Sequence, residues 1–248
     1  MPEFRFDDRI VQYVIEHRPR KTKVTLHVDG ERGVYIRAPL SVPDAQDESM
    51  VARKAEWIVR KMDEIENKLK SVEPHRFEPG EMFWYLGEKY PLHVIHVSEG
   101  KPPELHWNAQ SFSLYTPLPA RTGVRDLEPV ADTAALRRLF RDWYMKAGRP
   151  VIEERVETFA PVYGWPKRII LKEQKSRWGS CSSDGTIRLN WHILMAPMAI
   201  IDYLIVHELA HLRHRNHARP FWDAVARTIP DYPERRRWLR DNGHRFKL

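Results

Sequence analysis

The sequence has little of what secreted and membrane proteins depend on. It contains a single cysteine, Cys181, which excludes a disulfide bond within the chain and fits a reducing compartment. Residues 1–6 have no apolar core of the kind that a signal peptide needs. The longest apolar run, residues 193–206, includes Pro197 and Asp202 and is too short to span a bilayer. We therefore expect a soluble, cytoplasmic protein.

Signals for phosphate chemistry and for disorder are also missing. The chain has no glycine-rich phosphate loop and no carboxylate cluster suited to magnesium, and it shows neither an internal repeat nor a low-complexity tract. A hydrophobic fraction of 42%, with nine Trp, nine Tyr and nine Phe in 248 residues, indicates a packed core. This length predicts one large domain or two small ones.

The formal net charge is +7, and basic residues concentrate after His211. Such a tail can attract anions, including nucleic acid or nucleotide phosphates. Carboxylates at Asp223, Asp231, Glu234 and Asp241 dilute the patch. A solvated, highly charged surface is therefore the favoured interpretation, and nucleic-acid or nucleotide binding is the alternative.

A motif near the C-terminus carries the strongest chemical signal. His207 and His211 are four residues apart, which places both imidazoles on one face of a helix about one turn apart. Glu208 is positioned to act on a water held by the same ion. This is the zinc-hydrolase pattern, with the glutamate as general base. Nitrogen-only ligation favours zinc, with nickel, cobalt and iron as alternatives.

The pattern predicts a buried helix over residues 197–213. Pro197 suits a first turn, and the apolar run 200–206 is typical of a core helix rather than an exposed one. His207 and Glu208 would be costly inside such a helix without a partner, and a metal ion is a sufficient one. The opposing interpretation is an exposed helix in which the motif occurs by chance.

A catalytic zinc usually has three protein ligands and one open position. His217, which opens a further helix predicted at 218–228, can swing back over the end of the metal-binding helix, and we favour it. His214 is a weaker candidate because it lies at a large angle from His207 on the same helix. Glu234 is the third choice, and Asp223 could orient a ligand imidazole from outside the metal shell.

The segment ahead of this helix predicts a hairpin turning at Asp184-Gly185. An extended strand beside a zinc helix can pair with an extended peptide, although plain sheet structure is as good an explanation. Gly179 indicates a bulge or a close backbone approach. Cys181 is expected to be a small buried residue rather than a ligand, because a thiolate would block the open metal position.

At this point the chain resembles the YgjP-like metallopeptidase family, which is distantly similar to the SprT-like and WLM proteases. The segments that carry the resemblance are QKSRWGSCS (174–182), IRLNW (187–191), VHELAHLRHRNH (206–217), FW (221–222), DY (231–232), RRRWL (235–239), RKAEWI (53–58) and YLGEKY (85–90). The resemblance implies zinc ligands at His207, His211 and His217, with Glu208 catalytic. It implies little about the substrate.

The predicted fold class is α+β, with an N-terminal β-rich lobe over 1–125 that includes one long helix, and a zincin-like catalytic lobe over 126–248. In the second lobe the metal-binding helix is expected to pack beside a small antiparallel sheet. Strands are predicted at 24–28 and 33–36 around Asp29-Gly30, at 82–86, 90–97, 104–107, 111–115 and 168–173. Helices are predicted from Asp44 to about residue 69 and from about Pro129 to Phe159, where Gly148 and Pro150 are candidate positions for a kink in the second helix.

These observations predict a zinc-dependent peptidase in which Glu208 activates a water for attack on a carbonyl group. Arg177, Asn216 and Tyr232 are candidates for a second electrophile or a substrate-binding group. The expected partner is a peptide or protein substrate. A nucleoside triphosphate pyrophosphatase is the alternative, because the same ion and water could attack phosphorus while arginines hold the phosphates. A binding module with structural zinc is disfavoured, since a closed site has no use for a base.

Overall fold

The computed structural model describes residues 2–30, 32–42, 44–70, 74–98, 100–117, 133–174 and 176–248. Contacts divide the chain into two units, Met1–Glu73 and Pro74–Leu248, here called the N-terminal and C-terminal units. None of the described helices combines the length and the apolar character that a bilayer crossing requires. The predicted α+β class is confirmed.

The N-terminal unit is a four-stranded sheet with two helices. In chain order its elements are β1 (Glu3–Phe6), β2 (Arg9–Arg18), β3 (Thr25–Asp29), β4 (Gly33–Pro39), α1 (Asp44–Arg53) and α2 (Ala55–Lys70). The strand order is β1-β2-β4-β3. The predicted turn at Asp29-Gly30 joins β3 to β4, with Asp29 opposite Gly33. The single long helix predicted over this region is wrong, because the helix is interrupted at Lys54.

The C-terminal unit begins with a second four-stranded sheet packed on a long helix. The elements are β5 (Met82–Tyr85), β6 (Glu88–Val97), β7 (Glu104–Trp107), β8 (Phe112–Pro117) and α3 (Thr133–Tyr163). The strand order is β5-β6-β8-β7. Phe83, Phe112, Phe140 and Tyr144 form part of one core between sheet and helix. Strands β5–β8 therefore share a core with α3, whereas the predicted lobes separate them. The predicted boundary at 125/126 falls outside the described residues, and that division stays a prediction.

Helix α3 continues through Pro150 and Pro161, beyond the predicted end at Phe159. Its predicted start at Pro129 lies outside the described residues. At Gly148 an added Cβ would lie 2.1 Å from Cδ1 of Leu194. The glycine is thus required by the close approach of α3 to the 3-10 helix Trp191–Met195.

A three-stranded sheet and three helices complete the C-terminal unit. These are β9 (Arg168–Lys172), β10 (Gly179–Cys181), β11 (Thr186–Asn190), α4 (Met198–Ala210), α5 (Arg219–Thr228) and α6 (Tyr232–Asn242). The strand order is β10-β11-β9, with β10 antiparallel and β9 parallel to β11. The predicted hairpin is confirmed, but the expectation of a purely antiparallel sheet is wrong because β9 pairs in parallel across a crossover.

Helix α4 is the centre of this unit and packs against α3, α5, α6 and β10. Its residues Ile201, Ile205 and Leu209 are buried, as predicted for a core helix. The one acidic residue in its first half, Asp202, accepts hydrogen bonds from Nε and Nη2 of Arg155 on α3, at 2.6 and 2.9 Å. This bidentate ion pair compensates the charge of Asp202 and holds α4 against α3.

Candidate metal centre

Three imidazole groups converge at the C-terminal end of α4. His207 lies in the last turn of the helix and His211 follows its last residue. His217 returns from the next loop, as the sequence predicts. Its Nε2 lies 3.1 Å from Nε2 of His207 and 3.2 Å from Nε2 of His211. Among the described residues, these three form the group of side chains that could share one metal ion.

The donor set fits a tetrahedral metal ion. Nitrogens bound to zinc at about 2.0–2.1 Å in tetrahedral geometry are separated by about 3.3 Å, close to the two distances above. Burial and the neighbouring imidazoles lower the pKa of His207 to about 3, and burial also lowers the pKa of His217. Both rings are therefore neutral near pH 7, which is the form that binds a cation.

The protonation pattern of His211 is set by its surroundings. Its Nδ1 lies 2.9 Å from the carbonyl oxygen of His214, and because a carbonyl only accepts, Nδ1 must carry the proton. The lone pair of the neutral ring is then on Nε2, facing the other two rings. In contrast, Nδ1 of His207 is buried and no hydrogen-bond partner reaches it from the described residues.

Aromatic side chains of α5 hold the three rings in place. The fully buried ring of Phe221 lies 4.9, 4.5 and 4.7 Å from the ring centres of His207, His211 and His217. Trp222 stacks on His217 with a centroid distance of 5.5 Å. One phenyl ring thus packs against all three imidazoles and restricts their orientation.

Two hydrogen bonds from Arg215 hold the loop that carries His217. The guanidinium of Arg215 donates hydrogen bonds to the carbonyl oxygens of Ser182 and Ser183, at 2.9 and 3.1 Å. These two residues lie in the turn between β10 and β11. The loop after α4 is therefore attached to the neighbouring hairpin, close to the C-terminal end of α4.

Glu208 is a buried carboxyl beside these rings. It is 3% exposed, and its Oε2 has no hydrogen-bond partner within the described part of the chain. Burial raises its pKa to about 8, against the opposing charge of Arg177. The carboxyl lies against Gly179 of β10, where an added Cβ would be 2.4 Å from Oε1. The close approach expected at Gly179 is thus to the side chain of Glu208.

A cleft of about 370 Å³ opens beside Glu208 and His207. One wall comes from β10 and the segment before it, a second from α4, and a third from α6. Its lining residues are Trp178, Gly179, Tyr203, Leu204, His207, Glu208, Arg236, Leu239 and Arg240. A buried carboxyl and an imidazole at the edge of a concave space of this size form a candidate active site.

A family model for the YgjP-like metallopeptidase domain matches residues 22–242. The chain belongs to the YgjP-like metallopeptidase family. The resemblance described above and the prediction of a metallopeptidase are thereby confirmed. Family membership implies a metal ion and a peptide or protein substrate, and it gives no support to the nucleotide alternative.

The chain has no significant match among the curated proteins. A solved structure that matches is the crystal structure of the metallopeptidase zymogen of Pyrococcus abyssi abylysin. It is 25% identical, and the match covers 36% of this chain and 91% of that chain with a TM-score of 0.33.

The three further residues predicted for this YgjP-like site lie around it, and none lines the cleft. Arg177 is exposed and borders a polar groove with Gln174, Ser180 and Arg188. The side chain of Asn216 accepts a hydrogen bond from the backbone N–H of Ala218, which shapes the turn before α5. The ring of Tyr232 stacks on Trp222 at 5.0 Å. Their roles as electrophiles or substrate-binding groups stay predictions.

The other candidate ligands make different contacts. His214 supplies its carbonyl to His211 rather than its ring to the cluster. Asp223 forms an ion pair with Arg219 at 3.8 Å instead of orienting an imidazole. Glu234 lies in the first turn of α6, outside the cluster. Cys181 is half-buried, and its thiol contacts the carbonyl oxygen of Ser182 at 3.6 Å.

Sequence reasoning missed Tyr203 and Arg236, which both line the cleft in this family member. Tyr203 precedes His207 by one helical turn, and their ring centres are 5.9 Å apart. Burial raises its pKa to about 12. The four-residue spacing of Tyr203, His207 and His211 places the three side chains on one face of the helix, and this spacing is the sequence signal that could have identified Tyr203. Arg236 was missed because α6 itself was not predicted.

Proposed function

We propose that this metallopeptidase is a zinc-dependent enzyme in which His207, His211 and His217 hold the ion and Glu208 is the general base. The observation that carries the proposal is the convergence of three Nε2 atoms next to a buried carboxyl with an unsatisfied oxygen. This part of the C-terminal unit would be the zincin-like lobe predicted from the sequence.

A bound zinc ion supplies Lewis acidity, which makes a water molecule easier to deprotonate and stabilises negative charge on a carbonyl oxygen. Glu208 accepts the proton of the attacking water and then passes it to the amine that leaves. Burial raises the pKa of Glu208, and the positive charge of a bound ion would favour the carboxylate form, which is the form that accepts a proton. The bond that forms joins water oxygen to the carbonyl carbon, and the bond that breaks is the C–N bond.

The position of β10 favours an extended peptide as the substrate. In the described sheet β10 pairs with β11 on one side and is an edge strand, and Gly179 at its start touches Glu208. An extended peptide added at this edge would form backbone hydrogen bonds and pass close to the base. Strand β10 would thus bind the backbone of the peptide and also limit the position of the Glu208 carboxyl.

The test is a comparison of wild-type protein with Glu208→Gln, both of measured zinc content. Substrates are an unfolded protein and a peptide library, with nucleoside triphosphates in parallel. We expect peptide cleavage by the wild type, a loss of about 100-fold or more in Glu208→Gln, and equal zinc content. Glu157→Gln, an exposed substitution on α3, is the matched control. Cleavage by Glu208→Gln at the wild-type rate would show that the assigned base is wrong.

A further inference from the structure

Arg236 differs from Arg235 and Arg240 on the same helix. Arg235 donates to Asp231 at 2.9 Å and to the carbonyl oxygen of Ala199 at 3.0 Å. Arg240 is paired with Asp241 at 2.8 Å. Arg236 lines the cleft beside Glu208, and none of the ion pairs of the described residues includes it.

The guanidinium of Arg236 is held in place by an aromatic ring rather than by a carboxylate. It lies over the ring of Trp222 at 4.9 Å. The same ring is also stacked with His217, at 5.5 Å and 25°, and with Tyr232, at 5.0 Å and 13°. A cation–π contact is not a hydrogen bond, so the N–H groups of the guanidinium can still form the fork that matches a carboxylate.

The surroundings favour an anionic partner for this fork. Trp178, Tyr203 and Leu239 contribute apolar surface to the same cleft, and this surface can pack against the carbon atoms of a ligand while the exposed guanidinium of Arg236 binds its charged group. Glu208 is the one carboxyl among the cleft residues, and no ion pair of the described residues joins it to Arg236. The cleft therefore offers a positioned cation for a ligand with a carboxylate.

We propose that this cleft is a substrate subsite that binds a carboxylate of the peptide, with Arg236 as its donor. The proposal rests on the proposed peptidase function and adds a preference to it. The carboxylate has two sources, the side chain of a Glu or Asp residue near the scissile bond, or the α-carboxylate at the end of the peptide. Both present the same planar group to the guanidinium.

The experiment measures kcat/KM for matched peptides with wild type, Arg236→Gln and Arg237→Gln. Gln is a polar side chain that removes both the charge and the guanidinium. Arg237 is exposed on the same helix and does not line the cleft, so its substitution controls for net charge. The peptides carry Glu or Gln at each position around the cleaved bond, and each is made with a free and with an amidated C-terminus.

We expect the wild type to favour the carboxylate by roughly fivefold or more, the effect of a partly exposed charged hydrogen bond. In Arg236→Gln that ratio falls towards one, and in Arg237→Gln it stays at the wild-type value. Collapse of the Glu-to-Gln ratio identifies an acidic side chain as the ligand, whereas collapse of the free-to-amidated ratio identifies the chain end. An unchanged ratio in Arg236→Gln, or no preference in the wild type, overturns the proposal.

A binding measurement separates this proposal from the peptidase function. Peptide affinity is measured on Glu208→Gln with and without Arg236→Gln, by fluorescence anisotropy of labelled peptides. If peptides are cleaved but neither cleavage nor affinity responds to Arg236→Gln, the subsite is refuted and the peptidase stands. If nothing is cleaved but the carboxylate preference in affinity depends on Arg236, the subsite is supported and the peptidase is refuted.

Discussion

The backbone of Gly179 lies against the carboxyl of Glu208 so closely that a Cβ at this position would be 2.4 Å from Oε1, 2.7 Å from Cδ and 2.8 Å from Cγ. A strand residue thus limits where the carboxyl can be. The three atoms belong to the end of a side chain rather than to backbone. A larger residue at position 179 would therefore displace Glu208 before it disturbed the fold.

We predict that Gly179→Ala lowers peptide cleavage by about tenfold or more, because a catalytic group displaced by about 1 Å loses a large part of its effect. Zinc content should stay at the wild-type level, since none of the three imidazoles is touched. Steady-state kinetics measures the loss of cleavage, metal analysis measures the zinc content, and thermal unfolding checks that the fold is intact. Cleavage at the wild-type rate would mean that the position of Glu208 does not depend on this contact.

Replacing His217 tests the proposed metal ligand that lies outside helix α4. We expect His217→Ala to weaken zinc binding by more than about 100-fold, beyond the usual effect of removing a residue that only supports a ligand. His214→Ala is the matched control, because His214 contributes its backbone carbonyl to His211 and keeps it after substitution. Competition with a chromophoric chelator gives both affinities. If both substitutions weaken zinc binding equally, the imidazole of His217 is not a metal ligand.

Arg215 is not a candidate metal ligand, but its contact with the hairpin predicts that replacing it weakens metal binding. Arg215→Ala removes two hydrogen bonds that attach the loop of His217 to Ser182 and Ser183. We expect zinc affinity to fall by roughly tenfold, the lower end of the range for supporting residues. Arg213→Ala, an exposed substitution in the same basic run, should leave the affinity unchanged. If Arg213→Ala has an equal effect, overall charge rather than the loop contact is the cause.

A pH-dependent contribution to stability is expected in the N-terminal unit. Hydrogen bonds from Arg32, Arg18 and Arg37 lower the pKa of Glu16 to about 2, from an ordinary value of 4.5. Because the folded-state pKa is depressed, the stabilisation is fully present above the unfolded pKa and is lost as the pH falls towards 2. Glu16→Gln should therefore destabilise the unit at pH 6 and have a smaller effect at pH 3.5.

Denaturant unfolding of the full chain at both pH values checks this prediction, with the exposed Glu3→Gln as control. The difference in unfolding free energy between wild type and Glu16→Gln should shrink on acidification. A difference that is constant with pH would show that the arginines contribute to the folded state without acting on the charge of Glu16.

Local hydrogen bonds explain why the hairpin beside the site could be predicted. Asp184 accepts hydrogen bonds from the hydroxyl of Ser182 at 2.6 Å, and from the backbone N–H and the hydroxyl of Thr186 at 3.1 and 3.0 Å. All of these partners lie within two residues of Asp184, so the local sequence determines the turn. The helix with His207 and His211 was predictable for a similar reason, since its period and burial are local properties.

Non-local pairing explains most of what could not be predicted. The parallel pairing of Ile187 with Ile169 joins two strands between which β10 lies in the chain, and alternation along either strand does not reveal that partner. Helix α6 was missed because Leu239 is its one buried residue in a segment rich in arginine. Its remaining signals, a proline at the start and Glu234 in the first turn, are weak without an apolar stripe. The cleft and Arg236 therefore needed the structure.

The most direct test of the account is zinc K-edge X-ray absorption of the zinc-loaded protein. Three imidazole nitrogens with one further light ligand at about 2.0–2.1 Å are expected, and the imidazole signal should fall by one ring in His217→Ala. A sulfur ligand at about 2.3 Å, or a wild-type spectrum that His217→Ala leaves unchanged, would contradict the assignment of His207, His211 and His217 as the metal ligands.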